Sequence, residues 1–160
     1  QGDQQQMQEM QGEEEGKRLK PYCTIIIQTY RQLCNLPSLF FLSIVERKWL
    51  WAFPQIEGVP PTPRGGHSAT LTGASLVIFG GHYYEGKQSG FTYLNDTHVL
   101  DVNSSRWIKP RISGTPPPSR YGHSAVLAGA RIIIFGGKGS KTVFRDLHAL
   151  DPLTMTWFQV

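Results

Sequence analysis

Short apolar runs separated by glycine-rich or polar turns fill the chain beyond residue 53, and one arrangement of them occurs twice. "GGHSATLTGASLVIFGG" at 65–81 returns as "YGHSAVLAGARIIIFGG" at 121–137. In each copy "HSATL" or "HSAVL" precedes a small turn, "TGA" or "AGA". Then comes "SLVIF" or "RIIIF", whose Val and Ile content suits a buried strand. A tight hairpin is expected between the two runs. After a glycine pair (Gly80 and Gly81, Gly136 and Gly137) a longer loop leads to "THVLDV" or "LHALDP", read as a third strand. A short polar turn then leads to a fourth, around "RWIKP" or "TWFQV".

The match extends on both sides, as a true repeat requires. "PPTPRGGHSA" aligns with "PPPSRYGHSA", and "LNDTHVLDVNSSRW" with "FRDLHALDPLTMTW". The first half recurs at a spacing of 56 residues and the second at 50, so six extra residues lie in the first copy between its Gly-Gly and its Asn-Asp. Four antiparallel strands per copy make one blade of a propeller, and blades stacked face to face bury what a lone blade cannot. The glycine pairs supply backbone freedom and close approach where the buried strand ends. Trp107 and Trp157 suit the contact between blades. The fold class expected is all-β, a partial β-propeller behind a non-propeller, partly disordered N-terminal segment.

A strand running into Gly-Gly, a strand ending in Asp101 or Asp151, a Trp six residues on, and "P-x-R-x-G-H-S" opening each unit together resemble the kelch repeat. The resemblance covers residues 51 to 160. It implies a propeller of about four to eight blades that serves as a protein-binding platform. Trp51 precedes Arg64 by 13 residues, as Trp107 precedes Arg120, so a third unit ends near Trp51. Its own Gly-Gly is missing. The expected division is an N-terminal segment at 1–38, a blade remnant and connector at 39–63, and repeats at 64–119 and 120–160. The Gln/Glu-rich start cannot order itself by burying apolar surface. "YCTIIIQTYRQLCNL" allows a short amphipathic helix through Ile26, Tyr30 and Leu33, and "LFFLSIV" a degenerate third strand. Two blades and a remnant cannot close a ring, so further blades in a longer parent, or a truncated or misassembled gene product, are expected, with self-association if the chain is natively this short.

Composition narrows the setting. With 39 % hydrophobic side chains the 160 residues can bury a core. Cys23 and Cys34 both precede the repeats, so no disulfide framework or thiolate metal site holds the blades, and a reducing, cytoplasmic or nuclear, compartment fits. The longest apolar run is far short of the roughly 20 residues of a membrane span, and the polar, acidic N-terminus is no secretory signal. The net charge of +4 lies in residues 49–160, which carry six acidic and ten basic side chains without a cluster. That argues against nucleic acid or membrane as partner and biases the surface towards acidic ones.

If the strands alternate in direction, the second-to-third loops and the blade connectors share one face. Long loops on a rigid scaffold concentrate binding residues. Tyr83, Tyr84, Phe91 and Tyr93, with Lys87, Lys138, Lys141, Phe144 and Arg145, form the candidate partner-binding set for an acidic or peptidic segment; capping of the blade is the alternative for its aromatics. The periodic residues are read as structural. His67 and His123, like His98 and His148, recur once per blade instead of converging on a metal. Asp101 and Asp151 at strand ends suit backbone N–H bonds in the following turn. Arg64 and Arg120 tie loops together or reach a ligand. The unmatched His82 makes no site by itself. "NDT" and "NSS" fit the glycosylation pattern but are read as turn chemistry. No cofactor is expected. The functional expectation is a non-enzymatic adaptor or scaffold; the alternatives are a targeting part of a larger kelch-containing enzyme, such as a phosphatase or an acyl-coenzyme-A-binding protein, and a galactose oxidase-like copper enzyme. That last enzyme's cysteine-tyrosine cross-link has no cysteine available in these repeats.

Overall fold

The computed structural model describes residues 25–27, 40–45, 48–52 and 55–160. The first three ranges are strands of one compact unit: β1 (Ile25–Ile27), β2 (Phe40–Val45) and β3 (Lys48–Ala52), antiparallel in that order. The described part of the apolar run, Phe40–Val45, is thus a strand, pairing Leu42 with Trp51. Ile26 is not helical, in contrast to the amphipathic helix expected there. Three consecutive β-branched isoleucines favour the extended chain, and Ile26 pairs with Phe41. Tyr30, Leu33 and the Gln/Glu-rich start lie outside the described residues.

Residues 55–160 form a second unit of two sheets. The first is β4 (Ser68–Thr72), β5 (Ser75–Gly86), β6 (Gly90–Asp101) and β7 (Arg106–Ile108), hydrogen-bonded in sequence order. The second begins with β8 (Ser113–Gly114), which lies on its outer edge, parallel to β12 (Thr156–Gln159). Inward from β12 come β11 (Leu147–Asp151), β10 (Arg131–Phe135) and β9 (Ser124–Ala128), all antiparallel. The chain is all-β among the described residues, in four-stranded antiparallel blades. Gly73 and Gly129 turn the β4–β5 and β9–β10 hairpins at positive φ, 57° and 59°, which two-residue loops require.

Two expectations need correction. The "long loop" at 82–95 is a hairpin extension, for β5 and β6 pair almost to the tip, with Tyr84 opposite Phe91 and Gly86 opposite Gly90. Its aromatic and β-branched residues, Tyr83, Tyr84, Phe91, Thr92 and Tyr93, suit a strand. The connectors are not loops throughout either. Glu57 bridges Arg106 in parallel, as Ser113 and Gly114 pair with β12, so each connector adds a short outer strand. Gly114 is confined there because a Cβ would meet the Trp157 carbonyl oxygen at 2.2 Å.

The core lies between the two blades. Val77, Phe79 and Val99 of the first meet Ile132, Ile134, Leu150 and Trp157 of the second. Phe79 lies 4.8 Å from the Trp157 ring and 5.4 Å from His123. Backbone bonds stitch the same seam: the N–H of Gly81 donates to Arg120, that of Arg120 to Leu94, and that of Gly122 to Gly66. A side chain at Gly80 would strike the Arg120 carbonyl at 2.8 Å. The glycine pair is thus the slot into which the next blade's Arg-x-Gly segment fits.

Candidate functional site

Backbone bonds sort the turns into two ends of the blades. Val102 donates to Ala74, putting the short first-to-second and third-to-fourth turns at one end. At the other, Gly65 and His82 exchange both backbone bonds, and so do Tyr121 and Lys138. The hairpin tip, the 138–145 loop and the ends of the connectors therefore share a face.

On the hairpin, His82 faces Tyr93 and Tyr84 faces Phe91. Residues two apart in a strand point the same way, so all four lie on one side. Tyr121, from the start of the second repeat, packs against that side, 4.6 Å from His82 and 5.4 Å from Tyr93 between ring centroids. Phe91 touches His82 and Tyr84, at 5.2 Å each. Tyr84 and Phe91, 51 % and 52 % exposed, form the outer end of the stack. Tyr83 is turned to the opposite side, where its hydroxyl donates to Glu85 at 2.7 Å; that bond and the burial and charge that accompany it raise the phenol's pKa. Lys87, Lys138, Lys141 and Arg145 are exposed around this face, as is the apolar Val143. Phe144 is placed differently: it lies beneath the Arg120 guanidinium, 4.1 Å from ring centre to Cζ.

Beneath the face runs a network repeated in each blade. The Arg64 guanidinium grips both carboxylate oxygens of Asp96, donates to the Gly80 carbonyl at 3.1 Å and to Thr62 at 3.0 Å. Arg120 does the same with Asp146 at 2.7 and 2.8 Å, Gly136 and Pro118. His98 and His148 bond the same carboxylates at 2.9 Å. Hydrogen bonds from Arg120, opposed by burial and supported by His148, hold the Asp146 carboxyl well below the usual range. At Asp96 burial is the largest influence and works upward, but the bonds from His98 and Arg64 outweigh it and the net shift is down. Four of the five N–H donors of each guanidinium are spent within the fold, and its burial keeps a ligand from the fifth. Arg64 and Arg120 therefore anchor the glycine-pair strand to the third strand.

The remaining periodic residues are also engaged within the fold. Asp101 accepts from the N–H groups of Asn103 and Ser104, and Asp151 from those of Leu153 and Thr154. His123 Nε2 lies 2.9 Å from the Ser68 hydroxyl across the blade seam. Such a pair invites a hydrolytic reading, yet the His123 Nδ1 has no carboxylate beside it. Burial first, then the charges of Arg120 and His67, push its pKa down to about 4, too low for a base at neutral pH. Among the described residues no group of three or more His, Cys, Asp or Glu is placed to hold a metal ion.

Sequence reasoning passed over Asp96 and Asp146, the partners of the two arginines, and Tyr121, which completes the aromatic stack with His82, a residue read as no site by itself. Asp96 and Asp146 were legible as a pair at the 50-residue spacing, each two residues before a periodic His. Tyr121 carried no such signal, because its counterpart is Gly65.

Residues 28–160 match the family model described as the KLHDC2/KLHL20/DRC7 Kelch-repeats domain. The chain is 44 % identical over 108 residues to acyl-CoA-binding domain-containing protein 5 of Arabidopsis thaliana, a match covering 67 % of this chain and 16 % of that protein. It is 37 % identical over 100 residues to the Rab9 effector protein with kelch motifs of Rattus norvegicus, covering 61 % and 26 %. Among solved structures, YjhT superposes with a TM-score of 0.59 at 18 % identity, over 77 % of this chain and 44 % of that one. That last likeness is one of fold. This chain spans only about a sixth to a quarter of the length of these two relatives.

Proposed function

The chain belongs to the kelch-repeat family, and on that footing we propose that it is a protein-interaction module whose hairpin face binds an acidic, peptidic segment of a partner. The observation that carries this reading is the half-exposed Tyr84–Phe91 pair on a rigid hairpin, backed by His82, Tyr93 and Tyr121. Aromatic anchors held by their neighbours lose little entropy on binding and are frequent hot spots. The surrounding Lys87, Lys138, Lys141 and Arg145 supply attraction for carboxylates. The Rab9 effector protein with kelch motifs is itself named for a protein partner.

A second reading follows from the names of other relatives. Acyl-CoA-binding domain-containing protein 5 and the Rho GTPase-activating protein gacHH of Dictyostelium discoideum carry names of other activities, and the match spans 16 % and 7 % of them. Repeats of this kind then serve as the partner-recognising part of a larger protein.

The test is selection of short random peptides on the purified protein, followed by titration against variants. Acidic sequences should be enriched, and Lys87→Glu with Lys141→Glu should weaken them about ten-fold, or some 1.4 kcal/mol. Circular dichroism keeps this separate from unfolding, for which Trp107→Ala is the control. Unchanged affinity in both the double charge reversal and Tyr84→Ala/Phe91→Ala would sink the proposal.

A further inference from the structure

The hairpin has a free edge as well as an aromatic face. His82 gives its backbone N–H and C=O to Gly65, away from β6. In an antiparallel ladder, pairs alternate between bonding each other and pointing outward. His82–Tyr93 is therefore an outward pair, Tyr83–Thr92 an inward one, and Tyr84–Phe91 outward again. The N–H and C=O groups of Phe91 and Tyr93 thus project from the outer edge of β6. β7 covers that edge only from Val99 to Asp101, and among the described residues no backbone group beyond the β5–β6 ladder bonds Phe91 or Tyr93 on that side. Two such residues, two positions apart, repeat at about 7 Å along the strand, the spacing at which another strand bonds.

Exposed edges are usually blunted by proline, inward-pointing charge or a cover. This one has none of the sequence devices: 88–95 contains neither proline nor a charged residue. From these groups we infer that the edge of β6 at Phe91–Tyr93 is a strand-addition site for an extended peptide of the partner. The peptide pairs its main chain with Phe91 and Tyr93. Its alternate side chains lie on the aromatic side against Phe91 and Tyr93, and its other side chains lie beside Thr92. Specificity is then by alternation, apolar residues at every second position, with acidic residues at the end that reaches Lys87 beside the turn. The inference rests on the hairpin face being the partner contact, and adds that main-chain pairing, and not only aromatic packing, holds the peptide.

The probes are the peptides selected on the purified protein, added to the full chain, with amide exchange read by NMR at single residues. At saturation the Phe91 and Tyr93 amides should exchange at least about ten-fold more slowly, while that of Thr92, already paired with Tyr83, stays unchanged. Peptides N-methylated at alternate nitrogens should lose about ten-fold in affinity for one parity only. If Tyr84→Ala/Phe91→Ala abolishes binding but the Phe91 and Tyr93 amides keep their free rates, the aromatic face stands and strand addition is overturned. If neither the variants nor the amides respond, both readings fall together. Protection of the two amides that rises with protein concentration and needs no peptide would mean that a second copy occupies the edge, and would also overturn it.

Discussion

Asp146 and His123 each serve the fold in a way that one substitution exposes. Arg120 is wholly buried and its charge is balanced by Asp146. Asp146→Asn leaves an uncompensated guanidinium and should lower the unfolding free energy by about 3 kcal/mol, measurable by urea denaturation. His123 imposes a pH dependence of definite sign. Its imidazole takes up a proton near pH 6.5 in the unfolded chain but only at about 4 in the folded one. Between those values the unfolded state binds more protons. Stability is fully present above about pH 6.5 and declines as pH falls towards 4, and His123→Gln should flatten that part of the stability profile. The Asp146 and Asp96 carboxyls, both depressed, add a second loss at lower pH, below about 3.9, where the unfolded carboxylates protonate.

β5 and β6 show how one element can carry two roles. Their inner halves are blade: Val77 and Phe79 are core, and Asp96 reaches back to Arg64. Their outer halves stand beyond the blade and touch the second repeat through Tyr121. Replacing residues 82–95 by the shorter 138–145 segment should therefore leave stability within about 1 kcal/mol, since the packing of His82 and Tyr93 on Tyr121 is what is lost between the blades. The same exchange should abolish binding of the selected peptides. This division was only half legible in the sequence. Six residues of length difference marked the place, and the segment after the glycine pair read as a longer loop. It is instead a strand pair whose tip is flanked by Gly86 and Gly90 and whose aromatics, stacked across it, extend the ladder.

Across the whole molecule the two blades are equivalent in sequence and unequal in burial. Phe79 is 1 % exposed, covered by the next blade's Trp157 and His123; Phe135, at the matching position, is 53 % exposed. Val126 and Phe158 lie in one cross-strand row with Ile133 and Ala149, the row that corresponds to Thr70, Ile108, Val77 and Val99. Phe79→Ala should cost about 3–5 kcal/mol, whereas Phe135→Ala should stay within about 1 kcal/mol. Joining a further copy of residues 111–160 after Val160, in register with the repeat, should make Phe135→Ala as costly as Phe79→Ala. Equal costs at the two positions in the unextended chain would contradict the unequal burial of the two blades.

Periodicity alone determined the blade and its four strands, and it is why the recurring His, Asp and Trp were read as structural, because a residue required once per blade must recur with the blade. Local propensity also placed the hairpins, since a two-residue turn with Gly at positive φ is a local demand. What only the tertiary structure decided is which side chains meet. Asp96 closes on Arg64 across 32 residues, Tyr121 completes a stack built on another strand pair, and Phe144 leaves the binding set to lie under Arg120. Those contacts depend on how blades pack and where connectors cross, through distances that no local pattern encodes.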